Sequence, residues 1–172
     1  PSFADFRSLI GPPIQKIATQ LFPDLDSSAI DDFRRTFRYD YDNVSYQMCK
    51  WYPDVLDTIQ LLSARAGMSI SVVTNKPTRP TFDLIRSAGL SSCFSRIVGI
   101  DYLAVSSSGS VFSSKAEALT YILLLSPSNL LHSVYVGDTI GDLEACKCCN
   151  LPFIAALYGF HQWHPKQTPP RS

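Results

Sequence analysis

An apolar run with β-branched valines that ends in an acidic turn is the feature that most constrains this chain. Val134-Tyr135-Val136 is followed at once by Gly137-Asp138, and a second carboxylate, Asp142, comes four residues after Asp138. In a parallel α/β sheet, the residues that follow the strands lie at the edge where ligands bind. Two carboxylates on a glycine-containing turn at that edge are typical of a binding site for a hard divalent cation such as Mg²⁺.

The same turn also has a purely structural interpretation. Thr139 and Asp142 are spaced as the N-cap and the third residue of a helix, so Asp142 could complete a capping box. Asp138 would then be a turn carboxylate near the positive end of the helix dipole. The turn alone leaves both interpretations open.

The composition indicates an ordinary globular protein. The 172 residues are 45% hydrophobic and 17% charged, with 15 basic and 15 acidic side chains. With a net charge of zero, the protein as a whole has no positive electrostatic field that would attract nucleic acid or an anionic membrane. No apolar run reaches the ~20 residues that a helix needs to span a bilayer. We expect neither partner, and the sequence predicts no oligomeric state.

The cysteines favour a reducing location. There are five of them, an odd number, and residues 1–20 do not resemble a signal peptide, so we expect a cytoplasmic protein. Cys146-Lys147-Cys148-Cys149 has no second cysteine pair or suitably spaced histidines to complete a zinc site. We interpret these cysteines as thiols of a packed helix, and His161 and His164 as surface residues of a proline-bounded tail.

The hydrophobic pattern divides the chain into three parts. Residues 1–50 are predicted to form a helical cap subdomain, residues 51–160 an α/β core, and residues 161–172 a loosely held tail. Within the core, helices alternate with predicted strands, which indicates a parallel sheet covered on both faces. The four strands are predicted at 69–73, 96–100, 134–136 and 153–157.

Two further residues fall at functional positions of this fold. Thr74 ends the first predicted strand, where its hydroxyl and the following N–H groups could hold a phosphate oxygen. Ser114-Lys115-Ala116-Glu117 matches a capping box and puts Lys115 at the first helical position. A cation there opposes the helix dipole unless an anion is held nearby. Taken alone, Thr74 could simply be the residue at which the chain leaves the strand, and Lys115 could be an exposed lysine with its ammonium in water. Together with Asp138 and Asp142, however, the two residues are typical of a site for phosphoryl transfer.

The chain resembles the haloacid dehalogenase (HAD) superfamily, and within it the phosphoglycolate phosphatase-like branch. The residues that carry the resemblance are Val72-Val73-Thr74-Asn75-Lys76-Pro77, Lys115 and Val136-Gly137-Asp138-Thr139-Ile140-Gly141-Asp142. Arg7–Pro13 resembles the start of the cap in those phosphatases, and Tyr52-Pro53-Asp54-Val55 resembles the return from cap to core. The resemblance runs from about residue 3 to Phe160.

The resemblance implies a fold, a reaction and a role for each motif residue. The fold would be a HAD-type Rossmann-like core under a small helical cap. Thr74 and Lys115 would be the catalytic residues that bind the transferring phosphoryl group, with Asn75 as a further phosphate ligand. Asp138 would ligate Mg²⁺, with Asp142 completing or supporting the metal site, and the substrate would be a small phosphorylated metabolite such as phosphoglycolate.

The chain departs from the family pattern at one essential point. Such enzymes begin with an apolar strand that ends in Asp-x-Asp, the nucleophile and the general acid/base, and this central first strand is missing here. Asp24-Leu25-Asp26 matches the Asp-x-Asp pattern, but it follows Leu21-Phe22-Pro23 and not a predicted strand. Asp26 also fits the N-cap of the next helix. The resemblance therefore implies a phosphatase that is inactive as written.

The alternative is a non-catalytic HAD-fold module that binds a phosphate, a metal or a protein. A response-regulator-like or nucleotide-binding domain is disfavoured, because no glycine-rich loop follows a strand.

We predict no detectable Mg²⁺-dependent hydrolysis of a generic phosphate ester by these 172 residues. The physical reason is that covalent phosphoryl transfer needs a nucleophile, which the resemblance places in the missing strand. Release of inorganic phosphate measures the rate, and the variant Asp24→Ala is the control. Turnover that disappears in this variant would show that Asp24 is the nucleophile after all.

Overall fold

The structure is a computed structural model that describes residues 12, 14–43, 48–102, 111–125, 132–159 and 163. The chain forms two compact units. We call Pro13–Val111 the N-unit and the unit that contains Phe112–Ser172 the C-unit. Two parallel two-stranded sheets are described, one in each unit.

The N-unit begins with two helices, as the sequence predicts. Helix α1 spans Ile14–Leu21 and helix α2 spans Ser27–Asn43. The carboxylate of Asp26 accepts a hydrogen bond from the backbone N–H of Ala29 at 2.8 Å, which satisfies a donor at the start of α2. The acidic segment before α2 therefore serves as a helix cap in a loop between two helices.

A ladder of aromatic rings runs along one face of α2. Phe33 stacks on Phe37 with ring centroids 6.3 Å apart, and Phe37 stacks on Tyr41 at 5.7 Å. Phe22, just after α1, meets Phe33 edge-on at 5.4 Å. This is the face that the helical spacing of the aromatic residues predicts.

Helix α3 spans Val55–Ser63 and is shorter than predicted. The sequence suggests an apolar face that extends to Ala66 with Gly67 as the cap, but the helix gives way at Ala64. Gly67 has a φ of 78° and lies in the turn beyond the helix. Such a left-handed turn suits glycine. Gly67 therefore lies near the end of α3 as predicted, but the helix is one turn shorter than the apolar pattern suggests.

A parallel strand pair and one helix complete the N-unit. Strand β1 (Ser71–Val73) pairs in parallel with β2 (Arg96–Val98), and helix α4 (Thr78–Ser87) connects them. A short 3₁₀ turn, Ser91–Cys93, precedes β2. The core between these elements contains Leu90 and Val98, both fully buried, and Ile85 at 3% exposure.

The C-unit repeats the same order of elements. Helix α5 (Lys115–Leu124) precedes β3 (Tyr135–Gly137), helix α6 (Ile140–Cys148) follows, and β4 (Phe153–Ala155) pairs in parallel with β3. Cys146 of α6 is buried, and its burial raises its pKa to about 11. A thiol with so high a pKa carries little thiolate at neutral pH, which fits a packing role.

One expectation about the sheet is wrong in the C-unit. Val136 and Ile154 are register partners on the same face, and they are 57% and 54% exposed. A parallel sheet covered on both faces would bury such residues. Within the C-unit, no described side chain buries this face of the two-stranded sheet.

The division into cap, core and tail stays a prediction. The sequence also predicts a serine-rich loop at 101–113, of which residues 103–110 lie outside the described residues, as does the tail at 161–172 apart from Trp163. The histidines of that tail and the cap start at Arg7–Pro13 also fall outside them, except for Pro12. Among the described residues, no helix has the length and apolar character needed to cross a bilayer.

We predict that Leu90→Ala destabilises the protein by about 2–5 kcal/mol, because it removes a fully buried side chain and leaves a cavity. Leu61→Ala is the matched control, since Leu61 is 71% exposed and its truncation should change stability by less than ~0.5 kcal/mol. Urea unfolding followed by circular dichroism measures both. Equal losses in the two variants would contradict the assigned core.

Candidate functional site: a buried lysine–aspartate pair in the C-unit

Lys115 is placed by a capped helix start. The Ser114 hydroxyl accepts a hydrogen bond from the backbone N–H of Glu117 at 3.2 Å, as the predicted capping box requires. The Glu117 carboxylate, however, accepts from the backbone N–H of Ser113 at 2.6 Å and from its hydroxyl at 2.9 Å. These bonds lower the pKa of Glu117. Lys115 is the first residue of α5, as predicted.

Asp142 is placed by a complete capping box at the start of α6. The Thr139 hydroxyl accepts from the backbone N–H of Asp142 at 3.1 Å, and the Asp142 carboxylate accepts from the backbone N–H of Thr139 at 3.0 Å. The structural interpretation of this turn is therefore confirmed. It does not exclude chemistry, because the same carboxylate also has partners outside its own helix.

Lys115 and Asp142 form a buried ion pair. The Lys115 ammonium donates to Oδ1 of Asp142, and the two side chains are 16% and 4% exposed. The Tyr135 hydroxyl donates to the same oxygen at 3.3 Å, and the Thr139 hydroxyl donates to Oδ2 at 2.7 Å. With the Thr139 N–H, three residues supply four donors to one carboxylate, which is why it can be charged while buried.

The pKa values follow from this arrangement. Burial alone would raise the pKa of Asp142, but the Lys115 ammonium and the hydrogen bonds from Lys115 and Thr139 outweigh it, so the pKa is lowered. Burial raises the pKa of Tyr135, and the neighbouring Asp142 charge raises it further. Tyr135 is thus a neutral donor at every physiological pH, and Asp142 is an anion.

Two glycines make room for the acidic turn. A Cβ on Gly137 would lie 2.7 Å from the Cβ of Asp142, and a Cβ on Gly159 would collide with the side chain of Asp138. Contacts this close are not tolerated, so both positions require glycine for packing. Gly159 is a residue that the sequence reasoning did not connect with the site, since it lies far along the chain from Asp138.

The described residues fit a magnesium ion only in part. Both carboxylate oxygens of Asp142 accept hydrogen bonds from protein donors. This geometry favours a role in which Asp142 orients the residues around the metal over one in which it binds the magnesium ion directly. Its role as a metal ligand stays a prediction. Asp138 is half-buried beside Gly159 and supplies the second carboxylate. No group of three metal-ligating side chains occurs among the described residues. A magnesium ion held through Asp138 would need phosphate and water oxygens as further ligands.

The predicted phosphate ligands Thr74 and Asn75 belong to the N-unit. Thr74 follows β1, its N–H donates to the carbonyl of Val98 at 3.0 Å, and its hydroxyl accepts from the N–H of Lys76 at 3.1 Å. The hydroxyl therefore lies in a turn that begins where the strand ends. Asn75 is half-buried in the same turn. Their convergence with Lys115, Asp138 and Asp142 stays a prediction.

Sequence reasoning missed polar partners that belong to different helices, strands or turns. Tyr135 was interpreted only as part of an apolar strand, and the alternation of side chains along a strand gives no sign that its hydroxyl meets Asp142. Lys76 was noted only within the motif, yet its ammonium donates to the hydroxyl of Tyr41 in α2. Neither contact leaves a signal in local spacing.

Comparison with known proteins decides the family. The haloacid dehalogenase-like hydrolase family matches residues 1–156. The chain belongs to this family. Among its relatives is a phosphoglycolate phosphatase from Aliivibrio fischeri, 29% identical over 83% of this chain and 60% of the relative. One from Yersinia pestis is 31% identical over 74% of this chain and 52% of the relative. The chain thus spans little more than half the length of these relatives.

Solved structures confirm the HAD-type α/β fold. A haloacid dehalogenase-like hydrolase from Streptococcus pneumoniae is similar with a TM-score of 0.76 at 20% identity, over 93% of this chain and 70% of the other. A predicted phosphatase from Clostridium acetobutylicum gives 0.77 at 21%, over 92% and 70%. The predicted membership of the HAD superfamily, close to the phosphoglycolate phosphatases, is confirmed.

We predict that Asp142 contributes stability that depends on pH. Its folded pKa lies below the ordinary value of 3.8, so its contribution is complete above that pH and is lost as the pH falls through the folded pKa. The free energy of unfolding of the wild type should exceed that of Asp142→Asn at pH 7, and the difference should shrink below about pH 4. Urea unfolding between pH 7 and pH 3 measures it, with Asp57→Asn on the exposed side of α3 as the control. A difference that stays constant down to pH 3 would contradict the ion pair.

Proposed function

We propose that this chain is the phosphoryl-binding part of a HAD-type phosphatase that hydrolyses small phosphomonoesters similar to phosphoglycolate. The observation that supports it best is the buried Lys115–Asp142 pair, which holds an ammonium at the first residue of α5. A helix start offers backbone N–H groups and a positive dipole end to an anion. An ammonium held at such a position is suited to a phosphoryl group.

Lys115 can bind Asp142 and a phosphoryl oxygen together. An ammonium has three N–H donors, and the bond to Oδ1 of Asp142 uses one of them. The remaining N–H groups would neutralise charge on the phosphoryl oxygens, which is the main task in phosphoryl transfer. Asp142 acts by fixing the direction of the lysine side chain, and Tyr135 and Thr139 fix Asp142.

The other predicted residues complete the proposed site. Thr74 and Asn75 would donate to the phosphoryl oxygens from the turn after β1. Asp138 would hold Mg²⁺, with Asp142 in support, and the ion when bound would supply further charge neutralisation. The phosphoglycolate phosphatase names of the relatives favour a short phosphorylated acid as the substrate.

A non-catalytic phosphate-binding module is the second candidate. It is favoured by one observation: none of the four described strands ends in Asp-x-Asp, and Asp24–Asp26 lies in a loop where Asp26 caps α2. In either case the proposed phosphate ligands are the same. The odd number of cysteines supports a cytoplasmic location for both.

We predict that the chain binds 2-phosphoglycolate in the presence of Mg²⁺, and that Lys115→Met weakens binding roughly tenfold or more because a charge-assisted hydrogen bond is lost. Thr74→Val should weaken it by a smaller factor. Lys147→Met is the matched control, since Lys147 is exposed in the last turn of α6 and should not affect affinity. Phosphorus NMR titration measures the affinities.

The outcomes separate the assignment from a folding defect. Circular dichroism identifies any variant that fails to fold, and Thr74→Val leaves the buried ion pair intact. Unchanged affinity in folded Lys115→Met and in Thr74→Val would contradict the proposed site. Absence of any binding by the wild type would contradict the proposed function itself.

A further inference from the structure

Lys76 carries a positive charge in the turn of two proposed phosphoryl ligands, and the proposed site gives this charge no role. Lys76 follows Thr74 and Asn75 after β1, and its backbone N–H donates to the Thr74 hydroxyl at 3.1 Å. A lysine side chain reaches only about 6 Å from its Cα, so the ammonium stays close to this turn. The turn therefore combines two candidate phosphoryl ligands with a cation.

Tyr41 of α2 holds this ammonium in place. The Lys76 ammonium donates to the Tyr41 hydroxyl and lies 4.7 Å from the centroid of the Tyr41 ring. The ring is itself stacked on Phe37, and both Lys76 and Tyr41 are half-buried. A lysine that is fixed in this way has already lost much of its side-chain freedom, so a ligand that binds it does not have to order it.

The Lys76 ammonium has no carboxylate partner among the described residues. None of the salt bridges in the described ranges includes it. Burial raises the pKa of Asp42, and the Arg38 charge lowers that pKa more strongly than the Lys76 charge does. Asp101 accepts from the backbone N–H of Thr78 at 2.7 Å and from its hydroxyl at 2.8 Å. Both carboxylates thus have stronger partners than Lys76. Because the acidic and basic side chains balance in charge, an anion would be attracted by a direct hydrogen bond from the ammonium and not by a net local charge.

A short phosphorylated acid matches the spacing of this turn. In phosphoglycolate only one oxygen and one carbon separate the phosphorus from the carboxylate, so a phosphoryl group on Thr74 would bring the carboxylate close to the same turn. The bond to Tyr41 uses one of the three N–H donors of the Lys76 ammonium. A further donor can form a charge-assisted hydrogen bond with the carboxylate, and such bonds are stronger than those between neutral groups.

We propose that Lys76 binds the carboxylate of the substrate and makes the site selective for phosphorylated acids, with Tyr41 as the residue that positions its ammonium. The inference rests on the proposed function, and it assigns the second anionic group of the substrate to a residue that is not a phosphoryl ligand. With phosphoryl ligands alone, the site would bind small phosphomonoesters with similar affinity. Lys76 adds a preference for those that carry a carboxylate.

Titration of the full chain with 2-phosphoglycolate and with ethyl phosphate, both in the presence of Mg²⁺, tests this assignment. Ethyl phosphate is the matched ligand, since a methyl group replaces the carboxylate. We expect the wild type to bind 2-phosphoglycolate roughly tenfold more tightly, because it makes one additional charge-assisted hydrogen bond. The ring resonances of Tyr41 should shift with 2-phosphoglycolate and much less with ethyl phosphate. Phosphorus NMR measures the affinities, and proton NMR measures the shifts.

Three variants trace the preference to Lys76 and Tyr41. Lys76→Met should lower the affinity for 2-phosphoglycolate to that for ethyl phosphate and change the affinity for ethyl phosphate by less than about twofold. Lys76→Arg keeps the charge and should keep most of the preference. Tyr41→Phe keeps the ring but lacks the hydroxyl, so it should reduce the preference by a smaller factor. Lys16→Met is the control, since Lys16 is exposed in α1.

The outcomes separate this assignment from the proposed function. Equal affinity of the two ligands in the wild type, or a preference that persists in folded Lys76→Met, would overturn the assignment and leave the phosphoryl site intact. An equal loss of both ligands in Lys76→Met would make Lys76 a phosphoryl ligand and would also overturn it. Absence of binding of both ligands by the wild type would contradict the proposed function and this assignment with it. The comparison of ligands in the wild type needs no variant, so it decides the question even where Lys76→Met does not fold.

Discussion

The ion pair between Lys115 and Asp142 is the interaction on which the candidate site depends. It connects the first turns of α5 and α6, and the side chains of Lys115 and Asp142 are 16% and 4% exposed. Removing one partner of such a pair leaves a buried uncompensated charge, which typically costs about 3–5 kcal/mol. The capping box of Thr139 and the hydroxyl of Tyr135 offset the desolvation of the carboxylate. The polar network therefore places a cation at a helix start where the dipole would otherwise disfavour it.

The local parts of the fold were predictable because they depend on neighbours in sequence. The start of α6 at Thr139 and the cap of α2 at Asp26 both satisfy nearby backbone groups. Strand ends were predicted less well, as with Ser69, which precedes β1. Where a strand begins depends on the hydrogen bonds of its partner strand, and spacing does not encode them.

The site was predictable in its residues but not in its contacts. The motif pointed to Asp138 and Asp142 as a pair of similar carboxylates, and the structure gives them different environments. Asp142 is buried among protein donors, whereas Asp138 is half-buried against Gly159. The contacts of Tyr135 with Asp142 and of Lys76 with Tyr41 depend on packing between elements, and the second joins residues 35 positions apart. A single sequence carries no periodic signal for such contacts.

The ionisation of Asp142 tests the buried ion pair most directly. Carbon-13 NMR of the side-chain carboxyl groups, with Asp142→Asn used to assign the resonance, follows its protonation as the pH is lowered. We expect a pKa below the ordinary value of 3.8, because Lys115 and Thr139 stabilise the charged form. A pKa at or above 3.8 would show that burial dominates, and it would contradict the ion pair that holds Lys115 in place.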